Sequence, residues 1–87
     1  MFRIWGKLIK DNHLLNDYVA CRDDDDTRTH HVFSSLEEIC GVFDLPVPIW
    51  LDQNIRDFKR NDRCRFTQDS FVESIPFDYL EIRVIEE

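Results

Sequence analysis

The sequence predicts an α+β fold: a small antiparallel or mixed sheet, built from an N-terminal hairpin and a C-terminal strand, that carries one long and one short helix. Three patterns predict it. Near the start, Phe2, Ile4, Gly6 and Leu8 alternate with Arg3, Trp5, Lys7 and Ile9, the two-residue period of an extended strand with one apolar face. In the middle, Val32, Phe33, Leu36, Ile39, Cys40 and Phe43 recur at offsets 0, 1, 4, 7, 8 and 11, which is one stripe of a helix. At the end, Leu80, Ile82 and Val84 alternate with Tyr79, Glu81, Arg83 and Ile85, a half-buried strand.

The intervening residues punctuate these elements. Asp11-Asn12 supplies a turn, because both residues tolerate positive φ, and a second strand follows through Leu14, Leu15, Tyr18, Val19 and Ala20 to close the hairpin by Cys21. Asp23 to Asp26 form an acidic loop, with Asp26 or Thr27 placed to cap a helix near Arg28 to Phe43. Gly41 weakens its last turn, and Pro46 and Pro48 prevent continuation. Ile49-Trp50-Leu51 is too apolar for a loop, so it is either a short buried strand or the lead-in to a helix capped by Asp52. That helix runs from Asp52 to Asn61 with Ile55 and Phe58 as its inward face. Cys64 to Thr67 reads as a brief strand, Gln68-Asp69-Ser70 as a turn, and Phe71 to Phe77 as an irregular segment.

Length and charge bound the function classes. Eighty-seven residues are enough for a single domain, residues 1–87, and leave little chain for an enclosed active site once two helices and three strands are placed. Eighteen acidic against eleven basic side chains give a net charge of minus 7, which opposes nonspecific binding to nucleic acid and to anionic membranes. Lysines and arginines interrupt the apolar residues of the first ten positions, so no secretory h-region is expected, and no stretch approaches a membrane span. Cys21, Cys40 and Cys64 lie 19 and 24 residues apart with no Cys-x-x-Cys pair, and read as free thiols of a cytoplasmic protein.

The order of hairpin, long helix, Pro-containing break, Ile49 to Leu51 and terminal strand resembles the ubiquitin-like β-grasp fold. On the expectation that the chain ends at Val84-Ile85-Glu86-Glu87, with no glycine after Gly41, the resemblance implies a binding role and not conjugation or sulfur transfer. At the level of the whole sequence, Ile49-Trp50-Leu51-Asp52, Arg65-Phe66-Thr67-Gln68-Asp69 and Phe77-Asp78-Tyr79-Leu80-Glu81-Ile82 are similar to segments of small acidic uncharacterised proteins of anaerobic Gram-positive bacteria. That kinship implies no function.

Several side chains are candidates for chemistry, and most have a simpler role. The consecutive acids Asp23 to Asp26 lack the alternation and the glycine of a Ca²⁺ loop and read as a solvated helix cap. His30 and His31 point about 100° apart on a helix, which suits first-turn surface residues better than two ligands of one metal. Cys64, between Arg63 and Arg65, is the one residue with the flanking cations that favour a thiolate, and gives the alternative of a small thiol-dependent or redox protein. From Arg56 to Arg65, five basic and two acidic residues give that segment plus 3, leaving minus 10 elsewhere. Arg56, Lys59, Arg60 and Arg63 share one helix face, and nucleic acid is the alternative partner for it. Trp5 and Ile9 fall on the outer face of the first strand, where an apolar doublet marks a protein contact or a self-association surface. The preferred reading is a noncatalytic protein-interaction or accessory domain, with no catalytic set, metal or cofactor expected.

Overall fold

The computed structural model describes residues 1–87 and has the order β1 (Phe2–Lys10), β2 (His13–Arg22), α1 (Arg28–Phe43), α2 (Asp52–Asn61), β3 (Arg63–Phe66) and β4 (Tyr79–Glu86), with a single 3₁₀ turn at Gln68–Ser70. The four strands form one antiparallel sheet in the order β2-β1-β4-β3, so the α+β class expected from the sequence is the one observed. No helix is long and apolar enough to cross a membrane.

The hairpin turns at Asp11 and Asn12, whose φ angles of 51° and 65° are the left-handed pair a two-residue hairpin needs. A bulge opposite Leu8 and Ile9 then inserts Leu15 and resets the register of β2. On one face of the sheet Phe2, Ile4, Leu8, Ala20, Cys64, Phe66, Leu80 and Ile82 meet Val32, Leu36, Ile39 and Cys40 of α1 and Phe58 of α2. The period-2 and period-3.6 apolar positions of the sequence thus face each other in a single core. Thr27 caps α1, its Oγ accepting the His30 N–H at 3.2 Å. The helix ends at Asp44, whose left-handed φ of 57° lets Leu45 N–H reach back to the Cys40 carbonyl.

Two expectations are corrected in detail and one open reading is resolved. Ile49 to Leu51, matched to the β-grasp return to the sheet, joins no strand and is the other of its two readings, the lead-in to α2. The cap of α2 is Leu51 and not Asp52, and Asn54 accepts the Leu51 N–H at 3.0 Å. His30 and His31 part company: His30 stays exposed against Asp26, while His31 is buried with its ring 5.2 Å from Phe2 and Nε2 2.5 Å from Asp24. The hydrogen bond to His31 holds the Asp24 carboxyl below its usual range, and the one to His30 does the same for Asp26. The acidic loop is therefore tied to the first turn of α1.

α1 reaches the sheet most closely at Gly6, where an added Cβ would lie 2.6 Å from Ile39 Cγ2. Ile39 is fully buried and has no free space to move into. α1 is also fastened to β2, where Arg22 pairs with Glu38 at 2.8 Å and donates to Ser34, and Tyr18 donates to Glu38. Across the opposite face of the sheet runs a row of alternating charge. Glu81 on β4 accepts from Arg65 on β3 and Lys7 on β1, both at 2.9 Å, and Lys7 stands beside Asp17 on β2. Burial pushes the Glu81 carboxyl up, but the hydrogen bonds and charges of Lys7 and Arg65 outweigh it and leave it below its usual range.

Two predictions follow from this packing. Gly6→Ala should lower the unfolding free energy by about 1–3 kcal/mol, measured by urea titration, because the methyl has to displace Ile39. Glu81→Gln should cost about 1–2 kcal/mol, since it weakens two charge-assisted hydrogen bonds of which one partner, Arg65, is well exposed. The sign with pH is fixed by the lowered value: the stabilisation from Glu81 is complete above about pH 4.3 and is lost as pH falls through the folded-state pKa. The loss of stability between neutral and acidic pH should therefore be smaller in the Gln variant than in the wild type.

Candidate functional site

α1 sits over β1 and β2, and α2 sits over β3, so the two helices diverge above the middle of the sheet. Pro46 and Pro48 carry the chain across that gap in extended form and drop Trp50 into it. The Trp50 ring is packed edge-on against Phe33 of α1 at 6.0 Å, Phe58 of α2 at 5.6 Å and Phe66 of β3 at 5.0 Å, the arrangement that ring quadrupoles favour. Above it a groove of about 280 Å³ remains, floored by Val32, Trp50 and Phe58, walled by Phe33 and Ile55, and ended by Arg28, Thr29 and Lys59. Phe33 and Ile55 keep 47 % and 40 % of their surface in water, so the fold leaves apolar surface at this one concavity unsatisfied.

The charges around the groove are unevenly satisfied. Arg28 is bound to Asp62 and Glu87, each at 2.7 Å, and its guanidinium lies 5.5 Å from the centre of the Phe58 ring. Its neighbours on α2 have no such partners: Arg56, Lys59 and Arg60 are exposed and take part in no ion pair. Arg63, expected on the same helix face, is not there: α2 ends at Asn61, Asp62 turns the chain with a left-handed φ, and Arg63 heads β3, unpaired and directly opposite Arg83 across the ladder. The carboxylates of the last strand go elsewhere, Glu81 to Lys7 and Arg65, Glu86 to Arg3 and Glu87 to Arg28. Lys59 belongs both to the groove and to the basic helix face predicted from the sequence.

The other candidates lie apart from this site. Trp5 and Ile9 occupy the open face of the sheet and are half-buried. The Trp5 indole N–H donates to Asp17 at 2.9 Å and Lys7 Nζ sits 4.4 Å over its ring, so this face is partly covered by its own polar row. Cys64 lies on the core side of β3, between Arg63 and Arg65, which alternate to the other side. Burial, and then the nearby carboxylates of Asp57 and Glu81, push its thiol up to about 12, the reverse of the thiolate that its neighbours in sequence suggested.

Sequence reasoning missed the groove because it assigned its walls to the core. Phe33 entered the helical stripe of α1 at its edge, one residue after Val32, and Ile55 paired with Phe58 as an inward face. The available signal was the apolar triplet Ile49-Trp50-Leu51 after two prolines, a length that cannot form a helix and an apolarity that a free loop does not need.

The three thiols should separate in a labelling experiment with a maleimide reagent at neutral pH. Cys21 is exposed and should react at once, whereas Cys40, pushed up to about 11 by burial, and Cys64 should react only at the rate at which the chain opens. No protein-family model, curated protein or solved structure matches the chain, so what is inferred about the groove rests on its geometry and charge.

Proposed function

We propose that the chain is a noncatalytic protein-interaction domain that docks a partner segment in the α1–α2 groove. The observation that supports this most is the coincidence of exposed apolar walls with Lys59 at the groove and Arg56 and Arg60 beside it, none of which forms an ion pair, in a molecule whose net charge is minus 7. At about 280 Å³ the groove falls at the small end of ligand pockets, which suits one or two anchoring side chains better than a cofactor. The partner that fits is an amphipathic segment whose apolar anchors enter between Phe33 and Ile55 and whose carboxylates meet Lys59, Arg56 and Arg60. Titratable side chains along the groove are limited to Arg28 and Lys59, which supports binding over acid–base or nucleophilic chemistry. Three free cysteines held in separate places suit a reducing compartment and hence a cytoplasmic setting.

The unpaired cations also support the nucleic-acid alternative, and a single experiment separates the two. In a Trp5→Phe background, Trp50 is the only indole and reports directly on the groove. A synthetic helical peptide with leucine anchors and flanking glutamates should change its fluorescence saturably, and charge reversal by Lys59→Glu with Arg56→Glu should weaken that binding by about tenfold or more. Equal binding of the same peptide with lysines in place of glutamates would remove the charge argument. Preferential binding of a single-stranded oligonucleotide, with a steep loss in salt, would transfer the basic face to the alternative.

A further inference from the structure

We infer that β2 is a self-association edge, through which two copies of this chain join their sheets antiparallel about a two-fold axis. This does not depend on the groove, none of whose lining residues belongs to β2.

The sheet has two edges, and they are guarded very differently. β3 is four residues long and carries Arg63 and Arg65 on its exposed positions, the short charged edge that resists pairing. β2 is ten residues long, has no lysine or proline, and is exposed over nearly its whole length. Leu14, Leu15 and Val19 leave 52 %, 54 % and 39 % of their surface in water.

The outward backbone groups of this edge are in part free and in part held by neighbouring side chains. The amide of Asp17 and the carbonyl of Cys21 point away from β1, since each is met by a local side chain, Asn16 and Arg22, and not by the ladder. Residues 17, 19 and 21 therefore carry the outward-facing N–H and C=O groups, and those of Val19 have no partner in the chain.

A second copy is the occupant that fits these facts. An antiparallel strand pair about a two-fold axis needs no strand other than β2 itself. Arg22 is already paired with Glu38, so Asp17 is the one charge outside an ion pair that each copy brings to the seam. A register centred on Asp17 would face two carboxylates, which leaves Tyr18 or Val19 at the axis. The result is a closed eight-stranded sheet with a β3 at each end, because the guarded edges cannot add further copies. Val19, opposite Trp5, and Leu14, opposite Ile9, bring the apolar part of the open face to this seam.

Sedimentation equilibrium over a concentration series tests the inference. The wild-type chain should pass from monomer to dimer and stop there, and the dimer should tighten as salt screens the net charge of each copy. Val19→Pro removes an outward N–H that β1 does not use, so it should keep the circular dichroism of the wild type and weaken the dimer by about tenfold or more. In the wild type the amides of Val19 and Cys21 should exchange more slowly with deuterium as concentration rises, a readout that does not require the variant to fold. A strict monomer, a Val19→Pro chain that dimerises like the wild type, or exchange at these amides that is independent of concentration would overturn it.

Discussion

The close seating of α1 on β1 at Gly6 sets the geometry of the rest of the molecule. With no Cβ at that position, Ile39 descends to the backbone of a strand hydrogen-bonded on both sides, and the axis of α1 comes to lie over β1 and β2. Arg22 and Tyr18 then lock the helix sideways through Glu38 and Ser34. α2 belongs to β3, to which Asn54 ties it by donating to the Arg65 carbonyl at 2.8 Å. Two helices fixed to opposite halves of a four-stranded sheet cannot also touch along their length. The gap between them is the consequence, and the aromatic cluster at Trp50 is what fills its lower half.

Charge is organised by the same division. The carboxylates of β4 and the acidic loop are drawn into contacts that pin strands and helix ends: Glu81 between Lys7 and Arg65, Glu86 on Arg3, Glu87 on Arg28, Asp24 and Asp26 on the two histidines. Each of these lies along the sheet or at the start of α1. None of them pairs with Arg56, Lys59 or Arg60 of α2. A net charge of minus 7 therefore coexists with three cations of α2 that form no ion pair. At an ionic strength near physiological, screening over about 8 Å keeps the acidic remainder from cancelling that face at contact range.

Local pattern carried most of the fold in this chain, and its limits mark where tertiary structure takes over. β1, α1 and β4 are legible because alternation and the 3.6-residue stripe each define one buried face, and Asp11-Asn12 and Thr27 act within a few residues of themselves. Strand order is not local: nothing in β4 alone says that it lies between β1 and β3. The burial of His31 and the hydrogen bonds of Asn54 also depend on segments far away in sequence, Phe2 in the first case and Arg65 and Ser70 in the second. The basic face was legible only in part: Arg56, Lys59 and Arg60, at offsets 0, 3 and 4, share a side of α2, but the helix stops at Asn61 and Arg63 falls on β3. Cys64 shows the converse. Its neighbours in sequence are two arginines, but strand alternation turns both away and leaves burial to govern the thiol.

The groove lies over the middle of the sheet and takes no residue from β2. Joining two sheets through β2 places each α1 near the seam and each α2 at an outer end, so the two grooves would stay open. The α2 cations are then as far from the other copy as the sheet allows, and the basic face gains nothing and loses nothing by pairing. Two such grooves on one rigid sheet would engage a partner that carries two acidic amphipathic segments far more tightly than either groove alone, provided the spacer reaches from the middle of one half to the middle of the other. At a strand separation of about 4.8 Å that span is on the order of 20 Å, a distance that about six extended residues can bridge. Self-pairing would thus make each groove half of a divalent binding surface, without any new contact at the groove itself.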